Sequence, residues 1–310
     1  MSGRADAVVG VIGAGAVGQA VAAALVTAGP QGPAGRVLVA SRTEEQAGAL
    51  AADLEDMRQG LGSPVRAEAR PVSGLLRCDA VVIAARAAFT NPRSSDIRMG
   101  GAAANAPMLR DLALKLRGYG GLVLVVTNPV DLMTRLVAET SGCARVFGIG
   151  SNLDSSRFRT VLARHLDVAP NAVRGHVIGE HGDGAVVCAS TTTVNGRPAP
   201  VPLDLVREEL RARPGRISAG IGRTRCGPAG AVVSTLAKGL GLRDGTEELS
   251  TVHGGDWLGI PLTFHAGRPI ASLPDLNAAE QQQFAAAASR LRTAYAALRP
   301  STIPSTERTA

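Results

Sequence analysis

Aromatic residues make up only 3% of this 310-residue chain, with a single tryptophan, and lysine is nearly absent: Lys115 and Lys238 are the only two among 33 basic residues. The formal charge is still +7, carried by arginines scattered along the sequence rather than grouped. Scattered charge without stacking side chains makes neither a basic stripe for a duplex nor a platform for single strands, so no nucleic-acid partner is expected and small anions fit better. Cysteine is also scarce. Cys78, Cys143, Cys188 and Cys226 stand far apart with no C-x-x-C pair, which argues against a disulfide framework and against a zinc site; no metal is expected. No run of about 18 uncharged apolar residues occurs, and the first residues lead into a strand-like segment rather than a signal peptide. The expectation is a cytoplasmic protein with no membrane partner.

What the chain does contain is a 45% apolar composition, free of low-complexity tracts, and enough length for two ordinary domains. Residues 7–12 read as a short buried strand. Gly13-Ala14-Gly15-Ala16-Val17-Gly18 follows directly, and then an alanine-rich helix to about residue 28. This is G-x-G-x-x-G with a strand before it and a helix after it, the context the motif needs. The first glycine permits a tight turn, the second lets a pyrophosphate approach the backbone, and the third lets helix pack on strand. Free N–H groups at the helix start favour the pyrophosphate's charge, so Gly13, Gly15, Ala16, Val17 and Gly18 are expected to bind a dinucleotide. The next strand, 36–40, ends at Ser41-Arg42-Thr43. An NAD-binding unit usually has an acid here for the ribose 2′-hydroxyl, whereas an arginine accommodates a 2′-phosphate. With the acid replaced by Ser41, Arg42 and Thr43, the expected cofactor is NADP.

Helices are expected at 43–58 and 99–117, and strands at 65–69, 80–84 and 122–127. Between the strand 80–84 and the helix 99–117 lies a loop, 85–96, which carries Arg86 and Arg93 and has Arg98 at its far end; a loop of that length in a compact domain suggests a lid or binding role. Alternation of strand and helix over 7–148 predicts an α/β fold, a doubly wound parallel sheet of Rossmann type, with ligands at the carboxyl ends of its strands. After residue 150 the pattern changes to an α+β arrangement. Helices are expected at 154–165, 203–212, 228–240 and 278–298, with shorter strands at 173–178 and 186–194. The expected division is a dinucleotide-binding domain, 1–150, and a substrate/catalytic domain, 151–310. In the second part Gly179-Glu180-His181-Gly182-Asp183 sets one imidazole between glycines and acids, a fitting seat for a proton-transfer group near neutral pH.

Taken in order, five motifs resemble the lactate/malate dehydrogenase family across nearly the whole chain: the glycine fingerprint, Thr127-Asn128-Pro129-Val130-Asp131, Asn152-Leu153-Asp154-Ser155-Ser156-Arg157-Phe158-Arg159, the His181 motif, and Gly222-Arg223-Thr224 leading to Gly227-Pro228-Ala229. The resemblance implies that His181 is the acid/base, that Asp154 holds its other ring nitrogen, and that Arg157 takes the substrate carboxylate. It further implies that Asn128 orients the substrate carbonyl and meets the cofactor, and that Thr224 lines the substrate pocket. A lid arginine followed seven residues later by an asparagine is reproduced by Arg98 and Asn105; counting from the preceding strand instead points to Ser95, and an insertion in the loop reconciles the two. The family's glycine after the fourth strand is Arg86 here. Arg86 or Arg93 would meet a second anionic group, which favours oxaloacetate or a phosphonate analogue of it, or would contact the cofactor phosphates. The resemblance thus implies an NADP-dependent 2-hydroxyacid dehydrogenase acting on a small anionic 2-oxoacid, as a homodimer or homotetramer. Alternatives are an NAD-dependent lactate-type enzyme on a monoanionic 2-oxoacid, a non-catalytic NADP-binding sensor, and an NAD-dependent glycosidase, for which the chain has no convincing metal cluster.

Overall fold

A computed structural model of the chain describes residues 7–90 and 97–298, the side chains of 97 and 98 excepted. Its first half alternates strand and helix: β1 (Val8–Ile12), α1 (Ala16–Ala28), β2 (Arg36–Ala40), α2 (Glu44–Leu61), β3 (Arg66–Ala69), β4 (Ala80–Ile83), α3 (Ala102–Lys115), β5 (Leu122–Val125), α4 (Val130–Ser141) and β6 (Val146–Ile149). These six strands pair in parallel in the order β3-β2-β1-β4-β5-β6. The order reverses between β1 and β4, and a crevice opens there at the strands' carboxyl ends, where ligands of such sheets bind.

Continuous apolar strands make sense because both faces of this sheet are covered. Side chains alternate between the faces, so Val9, Val11, Val82, Leu122 and Leu124 pack with α1 and α2, while Ile12, Val81, Ile83, Val123 and Val125 pack with α3 and α4. Each such fully buried side chain contributes about 1.5–3 kcal/mol. Local signals set the helix ends. Thr43 caps α2 by accepting a hydrogen bond from the Gln46 N–H at 3.3 Å, Glu44 and Glu45 occupy its first turn, and Gly62 closes it in the left-handed region.

The second half comprises α5 (Ser151–His165), β7 (Val173–Arg174), β8 (Val177–Gly179), β9 (Ala185–Val187), β10 (Thr193–Val194), β11 (Arg197–Pro198), α6 (Leu203–Ile221), α7 (Cys226–Gly239), β12 (Gly245–His253), β13 (Asp256–His265), β14 (Arg268–Ala271) and α8 (Ala278–Ala296). The main sheet continues into it. β12 pairs antiparallel with β6, and β13, β8 and β9 follow in turn, while β7, β10 and β11 form a small separate sheet. Helix α7 adds Ala229, Val232 and Leu236 to the α1 side, and α8 adds Ala288, Leu291 and Tyr295 to the α3 side, so the C-terminal helices complete both layers. Among the described residues no helix is long and apolar enough to cross a membrane.

Three differences from the sequence pattern have physical reasons. The strand expected over 173–178 divides into β7 and β8, and that over 186–194 into β9 and β10, each pair belonging to two sheets. Helix α6 runs through Pro214 rather than ending at 212, with Glu209 held by Arg216 at 2.6 Å and Arg213 at 3.4 Å across the interrupted turn. The β12–β13 hairpin carries Glu247, Glu248 and Pro261, which mask its strand character. Both carboxylates are buried, on opposite faces. Glu247 pairs with Lys238 and accepts from Asn152 at 2.8 Å, whereas Glu248 accepts from Arg159 at 3.1 Å and bonds His176 at 2.7 Å. They tie β12 to α5, the helix that carries Asp154 and Arg157.

Candidate active site

Gly13 starts the site. Its N–H donates to the Ala40 carbonyl at 2.8 Å, its φ is +116°, and a Cβ added there would come within 2.8 Å of the Ala85 nitrogen. At Gly18 a Cβ would lie 1.7 Å from the Gly13 carbonyl oxygen, so α1 approaches the turn this closely only without a side chain. In front of Gly15, by contrast, nothing lies within 4 Å. That open space borders the N-terminal turn of α1, which begins at Ala16 and Val17 and holds no acidic residue, so it suits a pyrophosphate.

From this turn a cavity of about 810 Å³ extends over the crevice, lined by Gly13, Gly15, Ser41, Arg42, Arg86 and, from the turn between α6 and α7, Arg223. No acid ends β2; among the described residues the acid lining the cavity is Asp53, further along α2. Ser41 Oγ donates to Gln46 Oε1 at 3.0 Å, which sets it beside the α2 N-terminus. The Arg86 guanidinium lies 4.2 Å from the Phe89 ring centre, and burial, then the like charge of Arg223, pushes its pKa down. An adjoining cavity of about 590 Å³ shares Ser41, Arg42, Val72 and Lys115 with the first and is lined in addition by Thr43, Glu44, Arg70 and Ser73.

Loops after β4 and β5 are stitched together beside this crevice. Buried Asn105, on α3, accepts from the Ala87 N–H at 2.9 Å and donates to the Asn128 carbonyl at 2.8 Å. Thr127 Oγ1 donates to the Ala85 carbonyl at 2.6 Å, and the Asn128–Pro129 peptide is cis.

His181 follows β8 and is held on two sides. Its backbone N–H donates to Asp131 Oδ2 at 2.8 Å, from the first turn of α4, and its Nδ1 lies 2.6 Å from Asp154 Oδ2, from the first turn of α5. Arg157, one turn along α5, donates to the other Asp154 oxygen at 3.3 Å. The relative exposures of His181, Asp154 and Arg157 are 8%, 3% and 6%, so the cluster is shielded from water and its electrostatics are little screened. A carboxylate is the acceptor at Nδ1, which places the proton there and turns Nε2 into the ring atom that gives or takes one. Gly150, the residue before α5, makes room for the ring: a Cβ on it would stand 2.6 Å from His181 Cγ.

Of the residues expected from sequence, His181, Asp154 and Arg157 thus meet in one cluster, and Gly13, Gly15, Ser41, Arg42 and Arg86 in one cavity. Asn105 and Asn128 are joined by a hydrogen bond, Thr43 caps α2 and lines the adjoining cavity, and Thr224 stands half-buried in the turn after Arg223. Arg98 falls in the 3-10 turn Ile97–Gly101, its side chain outside the described part, and Arg93 lies outside the described residues. His181, Arg157 and Asn128 do not line the 810 Å³ cavity. Asp131, Arg223, Arg70, Ser73 and Lys115 were not singled out by sequence reasoning. Asp131 lies inside the Thr127–Asp131 motif, but as a first-turn acid of a helix it reads as an ordinary dipole partner.

Residues 7–148 match the family described as lactate/malate dehydrogenase, NAD binding domain, and 151–212 match its alpha/beta C-terminal domain. An L-lactate dehydrogenase of Lactococcus lactis subsp. cremoris is 33% identical over 192 residues, 61% of this chain and 59% of that protein. L-lactate dehydrogenase 3 of Bacillus cereus is 32% identical over 213 residues, 67% of this chain and 64% of that protein. The matched region therefore spans about three fifths of the length of these curated relatives. Among solved structures, the lactate dehydrogenase from Cryptosporidium parvum complexed with lactic acid and β-nicotinamide adenine dinucleotide superposes with a TM-score of 0.84 at 25% identity, covering 95% of this chain and 99% of that one. The malate dehydrogenase of Cryptosporidium parvum gives 0.85 at 23% identity, with 94% and 99% covered, a likeness of fold.

Proposed function

This chain belongs to the lactate/malate dehydrogenase family, and on that premise we propose that it reduces a 2-oxoacid to the 2-hydroxyacid with NADPH. The observation that carries this reading is the buried His181–Asp154–Arg157 cluster, a proton donor and an anion receptor held on a common carboxylate. The nicotinamide supplies hydride chemistry when bound. His181 gives its Nε2 proton to the substrate carbonyl oxygen as that oxygen gains charge, and takes it back in the reverse direction. Asp154 fixes the ring's tautomer and orientation through Nδ1. Arg157 offers its fork to the substrate carboxylate, Asn128 orients the carbonyl, Thr224 lines the substrate pocket, and Arg98 polarises the carbonyl from the loop after β4.

Preference for NADPH is supported by Ser41, Arg42 and Thr43 at the end of β2, where an acid would repel a 2′-phosphate. Arg86 shares its cavity with the glycine turn, which favours a contact with cofactor phosphates, and leaves Arg93 as the lid group for a dianionic substrate such as oxaloacetate or a phosphonate analogue. A second reading is favoured by the names of the curated relatives above, L-lactate dehydrogenases: an NAD-dependent enzyme acting on a monoanionic 2-oxoacid. A homodimer or homotetramer remains the proposed assembly.

Steady-state assays with NADPH and NADH against oxaloacetate, a phosphonate-bearing 2-oxoacid and pyruvate separate these readings. The expected outcome is a higher kcat/KM with NADPH than with NADH and with oxaloacetate than with pyruvate. Equal or better efficiency with NADH defeats the cofactor assignment, and preference for pyruvate moves the chain to the second reading. Tight NADPH binding without turnover of any 2-oxoacid would make it a sensor.

A further inference from the structure

Lys115 is one of two lysines in the chain and ends α3 with its side chain exposed. A cation at a helix C-terminus is favoured by the dipole, and that alone would account for a basic residue there. It does not account for what the lysine faces. Lys115 lines both cavities of the crevice, as do Ser41, Arg42 and Val72, so the two spaces adjoin beyond the end of β2.

We propose that Lys115, with Arg70 and Ser73, forms the wall opposite Arg42 of a pocket that receives the 2′-phosphate of the cofactor, and that Lys115 is a specificity-determining residue. The proposal rests on the NADPH reading and adds to it residues from two further elements. Arg42 follows β2, Arg70 follows β3 and Lys115 ends α3, so cations from three elements line one space, together with Ser41, Thr43 and Ser73. Arg70 is already engaged by Glu68 at 2.5 Å. Neither Arg42 nor Lys115 has an ion-pair partner among the described residues, so two unneutralised charges face the same space. Glu44 also lines it, from the first turn of α2, where the helix N-terminus stabilises its charge. A phosphate monoester, with three acceptor oxygens and close to two negative charges, satisfies the arginine fork on one side and the lysine ammonium on the other.

The test uses the whole protein, as wild type, Lys115→Gln and Lys115→Arg, with calorimetric titration of adenosine 2′,5′-bisphosphate and adenosine 5′-monophosphate, and KM for NADPH and NADH. Losing one charge-assisted contact is expected to weaken the bisphosphate and raise the NADPH KM by about tenfold in Lys115→Gln. The monophosphate, the NADH KM and both kcat values should stay unchanged, and Lys115→Arg should recover most of the loss. Unchanged bisphosphate binding in Lys115→Gln, with a wild type that prefers NADPH, overturns the inference and leaves the cofactor reading standing. Equal weakening of both nucleotides also overturns it, because Lys115 would then serve the adenosine rather than the phosphate. A wild type that binds the two nucleotides equally removes the NADPH reading, and the pocket with it.

Discussion

His181 depends on the groups that hold it, and each tests a different part of the chemistry. With Nδ1 committed to Asp154 and the backbone N–H to Asp131, the ring has one orientation, and Nε2 is the atom proposed to carry the transferred proton. Replacement by asparagine keeps the volume and removes that proton, so His181→Asn should lower kcat by about 10²–10⁴, the range for a positioned acid/base, with cofactor affinity by fluorescence titration unchanged. Unchanged turnover would take His181 out of the mechanism. The cysteines make a second residue-scale prediction. Burial, mainly, pushes the Cys78 thiol up to about 11 and the Cys188 thiol up to about 12, whereas Cys226 is exposed. Both buried thiols have raised folded-state values, so they stay protonated and unreactive at pH 8, and iodoacetamide should label Cys226 before either. Mass spectrometry after brief alkylation reads this directly; Cys78 or Cys188 labelled first would contradict the burial. His181, Asp154 and Arg157 were legible in sequence because each sits in a motif of its own, and several motifs in one order are far more specific than any alone. Asp131 was not, since its role is a hydrogen bond to a backbone 50 residues away, which no local pattern encodes.

At the scale of elements, five of the six parallel strands were legible to within two residues, and β6 was not singled out. Strands buried on both faces must be continuously apolar, and β4 and β5 are, as is β2 after Arg36. The antiparallel half was harder, because its strands are short or carry charge: Glu247 and Glu248 are adjacent in β12 and find their partners through tertiary contacts, with α7 and α5 and with His176 between β7 and β8. Helix α6 outran the pattern for a similar reason, since Pro214 reads as a stop unless the surrounding structure tolerates it. Element junctions are also where the catalytic geometry is most exposed to change. Gly150→Ala would force a Cβ to 2.6 Å from His181 Cγ, far inside contact distance, so the ring or the start of α5 must shift. Because catalysis tolerates misplacement of about 1 Å only at a loss of about 10²-fold, this variant should lose at least that in kcat while still binding NADPH. Wild-type kcat in a folded Gly150→Ala protein would mean that the contact between Gly150 and His181 does not position the ring.

For the molecule as a whole, the sheet runs without a break from the dinucleotide-binding strands through β12 and β13 to β8, so the strand that leads to His181 is hydrogen-bonded, by way of its neighbours, to the strands that end at the cofactor crevice. Arg223, from the second half, lines the same cavity as Gly13, from the first. On the proposed reading, the cofactor side and the acid/base side are therefore built on one framework, as transfer between a nicotinamide and a carbonyl carbon requires. The sequence foretold a division near residue 150; the continuity of the sheet across it became visible only once β12 was seen to pair with β6. The most direct measurement follows the hydride itself, with NADPH deuterated at the transferring position of its nicotinamide C4, and oxaloacetate and pyruvate as acceptors. The expected product is a 2-hydroxyacid carrying deuterium at C2, read by NMR, and formed at a sharply reduced rate by His181→Asn. A hydroxyacid without deuterium at C2, or no hydroxyacid from either acceptor, would contradict the account.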